Sequence, residues 1–227
     1  VQGYPHHGTG TERTITDNDP MTDWRQYGNT DGGTRFAKMT EINTDTVDGL
    51  REIWRFRTGV EDDFKMTPLQ VEGRLYICTA RNVVIALDDA TGQEIWRFDP
   101  QAVPAASHQY ARTCRGLSYV EAPAPYEGTC KRRIAMATID ARLMSINAET
   151  GGLCTGFGDN GQINLRPGLG AHLPQDYYNT SPPLVAGDVL VVGGLVNDSQ
   201  DLGLPSGVLR AYDAVTGDFV WAWDLGD

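Results

Sequence analysis

The chain has 227 residues, a length that suits one large hydrophobic core or two small ones. Its 19 lysines and arginines against 30 aspartates and glutamates give a formal charge of −11, which argues against nucleic acid and anionic membrane surfaces as partners, since both require basic surfaces. The 26 glycines, 12 prolines and 9% aromatic residues are typical of a turn-rich, all-β chain, and 40% hydrophobic residues exclude a disordered one.

The start of the chain is polar. Residues 1–22 include His6 and His7 and hold no apolar stretch of the kind found in signal peptides, so we predict an N-terminal extension here. A chain that begins at Val1 is consistent with a processed or trimmed protein. No later run reaches the roughly 20 apolar residues that span a bilayer, because the most apolar stretch, 184–196, is interrupted by Asp188 and glycines.

Four consecutive strands are predicted in the first third of the chain. Residues 69–71 and 74–80 are strand candidates joined by Glu72-Gly73, and the apolar run 83–87 predicts a fully buried strand. The pattern Asp-x-x-Thr-Gly that follows predicts a tight turn, because Asp and Thr side chains bond local backbone and Gly adopts positive φ. Residues 94–98 then alternate as an outer strand, with Trp96 expected to pack between neighbouring sheets.

This turn belongs to an internal repeat. The segment 86–96 recurs at 211–221, recurs at 145–154 without its Trp, and is reduced to its end at 50–54. Repeats at intervals of roughly 40 to 65 residues indicate a solenoid or propeller. Four antiparallel strands in each interval correspond to one propeller blade. The sequence therefore predicts an all-β propeller of four-stranded antiparallel blades with tryptophan-docking motifs, about four of them, either as a closed small ring or as part of a larger one.

Three segments interrupt the regular spacing, at 99–133, 155–180 and 197–205. We expect them to be extended loops on the binding face, where propellers collect insertions. The four cysteines, Cys78, Cys114, Cys130 and Cys154, form no CxxC pair, which argues against a zinc ribbon. Cys114 and Cys130 flank a loop of 15 residues, and a disulfide there would add about 3 kcal/mol of stability. Four buried thiols are the alternative.

Several short motifs carry a resemblance to a known family. They are Asp23-Trp24-x-x-Tyr27-Gly28 leading to Arg35-Phe36, Thr67-Pro68, Thr113-Cys114-Arg115-Gly116 and Thr180-Ser181-Pro182-Pro183. Together with the Trp-ended repeat, they resemble the quinoprotein dehydrogenases that use pyrroloquinoline quinone (PQQ). The resemblance is to the membrane-associated glucose, quinate and polyol branch, and extends over about 23–223.

The resemblance implies an eight-bladed ring, of which residues 23–227 would be the N-terminal half, with PQQ held above a Ca²⁺ or Mg²⁺ ion. It further implies oxidation of a polyol, cyclitol or sugar hydroxyl, transfer of electrons to ubiquinone, and a periplasmic location at the inner membrane. The catalytic base would lie in a C-terminal half outside this chain, so the chain alone would be inactive. The remaining half and a membrane-anchor subunit or segment are the implied protein partners.

Residue by residue, the resemblance assigns cofactor contacts to Arg115, Thr180 and Cys114. The Arg115 guanidinium would hold a quinone carboxylate or carbonyl, and Thr180 would hydrogen-bond the cofactor. An ordinary inter-strand salt bridge for Arg115 and a turn at a strand start for Thr180 are the alternatives. The resemblance also implies a Cys114–Cys130 bridge, since only one cysteine stands where the alcohol-oxidising branch has two.

A second group of implied ligands follows in the segment Asn197-Asp198-Ser199. Asn197 and Asp198 would contact the cofactor site, and Asp198 and Ser199 would serve the metal, whose hardness favours oxygen ligands. A simple turn is the alternative.

The chain departs from the family pattern at two positions. Lys65 stands where relatives have an acid, and would either neutralise a PQQ carboxylate or be solvated. The functional His of glucose-type enzymes falls on Ala111, with His108 nearby, which favours a substrate other than glucose.

Two other functions stay open from the sequence. One is a non-catalytic scaffold propeller of the outer-membrane assembly lipoprotein type, which shares the turn motif but lacks the cysteine-bearing loop and the Arg115-Gly116 block. The other is a carbohydrate-binding or hydrolytic propeller. Hydrolysis requires paired acids, for which Asp140, Asp176 and Asp198 are the candidates.

Overall fold

The structure, a computed structural model, describes residues 23–30, 32–37, 39–103, 113–170, 172–196 and 203–224. The predicted extension 1–22, His108, and the implied ligands Asn197, Asp198 and Ser199 lie outside the described residues.

The first sheet forms where the hydrophobic pattern predicts it. Its strands are β1 (Leu69–Val71), β2 (Arg74–Cys78), β3 (Val84–Asp88) and β4 (Glu94–Phe98), antiparallel and in that order. Glu72 and Gly73 both have positive φ, 49° and 77°, the conformation that lets a two-residue turn follow the twist of its strands. β3 is buried along its first four residues, as a strand with neighbours on both sides requires.

Two further four-stranded antiparallel sheets follow. Their members are β5 (Ser118–Glu121), β6 (Arg132–Ala137), β7 (Arg142–Asn147) and β8 (Gln162–Asn164) in one, and β10 (Leu184–Ala186), β11 (Val189–Gly193), β13 (Leu209–Asp213) and β14 (Phe219–Trp223) in the other. The pair β9 (Tyr177–Tyr178) and β12 (Leu195–Val196) forms a small separate ladder. The prediction of continuous loops at 99–133 and 155–180 is wrong, because β5, the start of β6, β8 and β9 fall inside these segments. β5 pairs with the following strand β6 and β8 with the preceding strand β7, so the two segments supply the outer strands of the second sheet.

The repeated turn has the predicted construction in all three sheets. Oδ1 of Asp88 accepts hydrogen bonds from the Thr91 amide at 2.8 Å and hydroxyl at 2.7 Å, and Gly92 closes the turn at φ 69°. Asn147 and Asp213 accept the equivalent amide bonds, with Gly151 and Gly217 at positive φ. The side chains of the motif therefore stabilise the turn between the third and fourth strand of each sheet.

The sheets stack face to face, and the core lies between them. One cluster joins Leu69, Tyr76 and Trp96 of the first sheet to Ile134 and Met144 of the second. Another cluster joins Leu143 of the second sheet and Phe157 to Leu190 and Tyr212 of the third. The described residues contain three four-stranded sheets rather than four, because the segment 50–54 pairs with no strand in that part of the chain.

Two disulfides join the four cysteines, and neither is the expected Cys114–Cys130 bridge. Cys78 bonds to Cys114, and Cys130 bonds to Cys154. The packing explains this correction: Cys78 ends β2 beside the segment that leads into β5, whereas Cys130 and Cys154 flank the second sheet. The alternative of four buried thiols is also wrong. Within the described ranges no helix is long and apolar enough to cross a membrane.

Candidate functional site

The segments that enter the first strand of each sheet meet at one place. The Thr67 amide, just before β1, donates to the Arg115 carbonyl oxygen at 3.1 Å. The Arg115 amide, before β5, donates to the Thr180 carbonyl oxygen at 2.8 Å. Backbone hydrogen bonds therefore connect three sequence-remote segments in a row, and Arg115 is the middle one.

An open cleft of about 440 Å³ lies against this row. Its walls combine an amide, a phenol, hydroxyls and a guanidinium with apolar carbons, from Gln26, Tyr27, Thr30, Arg115, Ser118, Ser181 and residues 182–185, with backbone from Gly28 and Gly33. Gly116 lies between Pro182 and Tyr27, and a Cβ at this position would make ordinary contacts, 3.4 Å to Cγ of Pro182 and 3.7 Å to Cδ2 of Tyr27. A few polar groups in a largely apolar concavity are typical of small-molecule sites.

The Arg115 segment is fixed covalently as well. Cys114, directly before Arg115, is buried and bonded to Cys78. The Cys78 amide contacts Sδ of Met66 at 3.2 Å, and Met66 precedes Thr67. The disulfide therefore joins the two segments that the Thr67–Arg115 hydrogen bond also joins. The Arg115 backbone is held on both sides while its side chain stays exposed.

Two buried polar atoms beside this row have no partner among the described residues. They are Oγ1 of Thr113 and Oδ1 of Asn179, in side chains that are 3% and 0% exposed. Unpartnered buried polar atoms are uncommon and call for an explanation such as a ligand. Thr113 lies two residues before Arg115, and Asn179 directly before Thr180. Both unpartnered oxygen atoms therefore belong to the segments that meet here.

Tyr27 and Arg35 have no role assigned from the sequence motif; in the structure Tyr27 lines the cleft and Arg35 lies over its ring. The Arg35 guanidinium lies 4.2 Å from the centre of the Tyr27 ring. The hydrogen bond and charge of Arg35 lower the pKa of the Tyr27 phenol, and a hydrogen bond with Thr67 and the charge of Arg115 act in the same direction. The phenol thus lies near both guanidinium groups.

The remaining candidates behave differently. Lys65 is exposed, forms an ion pair with Asp63 at 2.9 Å, and is not one of the described residues that line the cleft. No group of three or more His, Cys, Asp or Glu suited to a metal occurs within the part of the chain that the structure describes.

Two candidate acids for hydrolysis have structural partners. Asp140 forms an ion pair with Arg142 at 2.7 Å and accepts a bond from Thr138. Asp176 accepts the Leu173 amide at 2.7 Å. Neither lines the cleft.

Comparison with known proteins leads to one family, both from a family model and from individual relatives. Residues 24–227 match the family described as "PQQ: Glucose/ethanol/alcohol dehydrogenase, beta-propeller domain". The chain is 40% identical over 217 residues to the quinoprotein glucose dehydrogenase of Escherichia coli, covering 90% of this chain and 27% of that protein. It is 35% identical over 252 residues to the quinate/shikimate dehydrogenase (quinone) of Acinetobacter baylyi, covering 97% and 30%.

The fold has matches among solved structures. The quinohemoprotein alcohol dehydrogenase from Comamonas testosteroni superposes with a TM-score of 0.74 at 24% identity, over 91% of this chain and 28% of that one. The chain thus spans less than a third of the length of each of these relatives.

Proposed function

The chain belongs to the PQQ β-propeller family of glucose, ethanol and alcohol dehydrogenases, and from that premise we propose that it is the N-terminal part of a dehydrogenase that oxidises a polyol, cyclitol or sugar hydroxyl. We propose further that the ring has eight blades with tryptophan docking between them. Electrons pass to ubiquinone, and the protein acts in the periplasm at the inner membrane, through an anchor subunit or segment.

The observation that carries this proposal is the row formed by Thr67, Arg115 and Thr180. A scaffold propeller needs the turns and the stacked sheets, but it has no need of an exposed arginine whose backbone is fixed beside a buried disulfide at a largely apolar cleft.

The residues at the cleft fit PQQ, which carries carboxylates and carbonyls. Arg115 would hold a carboxylate or carbonyl oxygen through charge-assisted hydrogen bonds, with Cys114 lying against the site and Thr180 adding a hydrogen bond. PQQ bound here would supply the acceptor for the hydride of the hydroxyl-bearing carbon, and the chain's residues would hold and orient it. Asp198 and Ser199, with Asn197 beside them, are proposed to serve a Ca²⁺ or Mg²⁺ ion, as oxygen-rich side chains would.

The exposed apolar surface supports a larger assembly. All five residues of β14 are exposed, with Trp221 at 40% and Trp223 at 55%. Exposed apolar patches of this kind mark interfaces. The longer relatives supply the candidate occupant, the blades that follow in sequence, and with them the catalytic base. We propose that this chain alone is inactive.

The test uses the full-length protein, freed of cofactor and then supplied with PQQ and Ca²⁺. Dye reduction is measured with glucose, quinate, glycerol and other polyols, and a complete lack of rate on the panel contradicts the proposal. Arg115→Met should weaken PQQ binding about tenfold or more, measured by fluorescence titration. Arg55→Met is the matched control, because Arg55 is an exposed arginine paired with Glu52.

A further inference from the structure

The loop between Tyr27 and Arg35 is closed by its own backbone. The Arg35 amide donates to the Gly28 carbonyl oxygen at 3.0 Å, and a Cβ on Gly28 would lie 2.7 Å from Cα of Gly33. Asn29, buried at the centre, donates from Nδ2 to the Phe36 carbonyl oxygen at 2.7 Å. This construction brings Arg35 back over the ring of Tyr27, with Arg35 itself at φ 51°.

The same loop is fixed to the sheets that carry Arg115. Trp24 exchanges two backbone hydrogen bonds with Gln70 of β1, at 2.6 and 3.0 Å. On the other side, Tyr27 packs beside Gly116, as the ordinary contact at that glycine shows. Tyr27 therefore stands between two guanidinium groups, that of Arg35 stacked on its ring and that of Arg115 in the same cleft wall.

The described side chains of Arg35 and Arg115 place positive charge around Tyr27, although the chain as a whole is acidic. The chain carries a formal charge of −11, yet neither Arg35 nor Arg115 has a carboxylate within 4.0 Å in the described ranges. By contrast Arg25, which forms the neighbouring cation–π contact with Tyr119 at 5.4 Å, is paired with Asp23 at 2.8 Å. The cleft wall thus holds one exposed guanidinium and a phenol on which a second exposed guanidinium is stacked, a combination that attracts an anion able to accept hydrogen bonds.

We propose that Arg35, Tyr27 and Arg115 form a carboxylate-binding subsite, in which Arg35 and the Tyr27 hydroxyl hold a carboxylate that Arg115 alone would hold less tightly. The inference rests on the proposed function and deepens it, because the carboxylate belongs either to the quinone cofactor or to a hydroxy-acid substrate. Both sources present the same planar, two-oxygen acceptor to the guanidinium groups. The lowered pKa of Tyr27 agrees with this cationic surrounding.

The experiment compares Arg35→Met and Tyr27→Phe with Arg25→Met in the full-length protein. Arg25→Met is the matched control, since it removes a cation–π arginine of the same segment that already has an acidic partner. PQQ binding is followed by fluorescence titration, and binding of quinate and of neutral glycerol to the cofactor-free protein by ligand-observed NMR. Melting temperatures of all variants establish that each is folded.

We expect Arg35→Met to weaken carboxylate binding about tenfold, the loss of one charge-assisted hydrogen bond, and Tyr27→Phe to weaken it less. Weaker PQQ binding assigns the subsite to the cofactor, and weaker quinate binding with unchanged PQQ affinity assigns it to a substrate. Unchanged affinity for both, or an equal loss in Arg25→Met, overturns the subsite. If the wild-type protein binds no PQQ, the proposed function fails, while the quinate titration still decides the subsite.

Discussion

Two neighbouring sheet interfaces solve the same packing problem in different ways. At the first, the Trp96 indole of β4 lies against Gly151 in the turn of the second sheet and donates from Nε1 to the Ala148 carbonyl oxygen at 3.1 Å. At the second, no tryptophan covers the turn 213–217. Phe157 packs near Gly217, and the Gly158 amide donates to the Thr216 carbonyl oxygen at 2.8 Å.

The second interface depends on a loop rather than on one side chain. Its repeat copy has lost its Trp, and Cys154 bonds to Cys130 there. The Phe157 amide donates to the Cys154 carbonyl oxygen, and Nε of the buried Arg133 donates to that of Cys130. At the first interface an indole covers the turn of the next sheet and shares the Ala148 carbonyl oxygen with Arg74 and Tyr76, whereas the second combines a disulfide, a phenyl ring and a buried arginine.

The largest expected effect is at the first interface. Trp96→Ala removes a buried ring and leaves the Ala148 carbonyl oxygen with fewer donors, so the free energy of unfolding should fall by about 3 to 5 kcal/mol. Trp96→Phe keeps most of the apolar area and should cost less. Denaturant unfolding measures both, and equal costs for the two variants would contradict this, because a phenyl ring would then recover none of the stability that the indole provides.

The second prediction concerns the disulfide at the interface between the second and third sheets. Removing the Cys130–Cys154 bridge with two alanines, across a separation of 24 residues, should cost about 3.5 kcal/mol by the chain-entropy model. Amide exchange should rise at Gly158 and in the turn 213–217. The matched control is the double alanine variant of Cys78 and Cys114, a bridge of similar loop length that should leave exchange in that turn unchanged.

The third concerns Arg133, which is 2% exposed and donates to the carbonyl oxygens of Cys130 and Val215 and to the Tyr126 hydroxyl. Burial lowers the pKa of its guanidinium. Arg133→Met leaves two carbonyl groups without this donor and should cost about 2 to 3 kcal/mol. Arg132→Met, which removes an exposed ion pair with Glu72, should cost less than about 1 kcal/mol. Similar losses in both variants would contradict the role of Arg133.

The smallest expected loss of stability concerns Gly151, in the turn of the second sheet that Trp96 covers. Gly151 and Gly73 have nearly the same φ, 76° and 77°, but a Cβ on Gly151 would lie 2.8 Å from Trp96, and one on Gly73 would meet nothing within 4 Å. Both alanine variants strain the backbone by about 1 kcal/mol. Gly151→Ala should cost about 1 kcal/mol more, because the indole must move. Equal unfolding free energies would show that the indole adapts without loss.

The part of the fold that the sequence predicted rests on local chemistry. The first sheet, its Glu72-Gly73 hairpin and the repeated turn depend on hydrophobic runs and on residues that bond their own backbone. Cys114, Arg115 and Thr180 lie in segments that meet, and Lys65 pairs with Asp63, while the cofactor contacts assigned to all four stay predictions. The assignments of Asn197, Asp198 and Ser199 stay predictions.

Sequence by itself determined the all-β class, the repeat and the residues that make each turn, because these follow from contacts within a few positions along the chain. Tertiary structure decided which cysteines pair, that Arg133 and Phe157 replace a lost tryptophan, and that Arg35 returns over Tyr27. Those outcomes depend on which surfaces meet when the sheets stack, and residues as far apart as Thr67, Arg115 and Thr180 become neighbours only then.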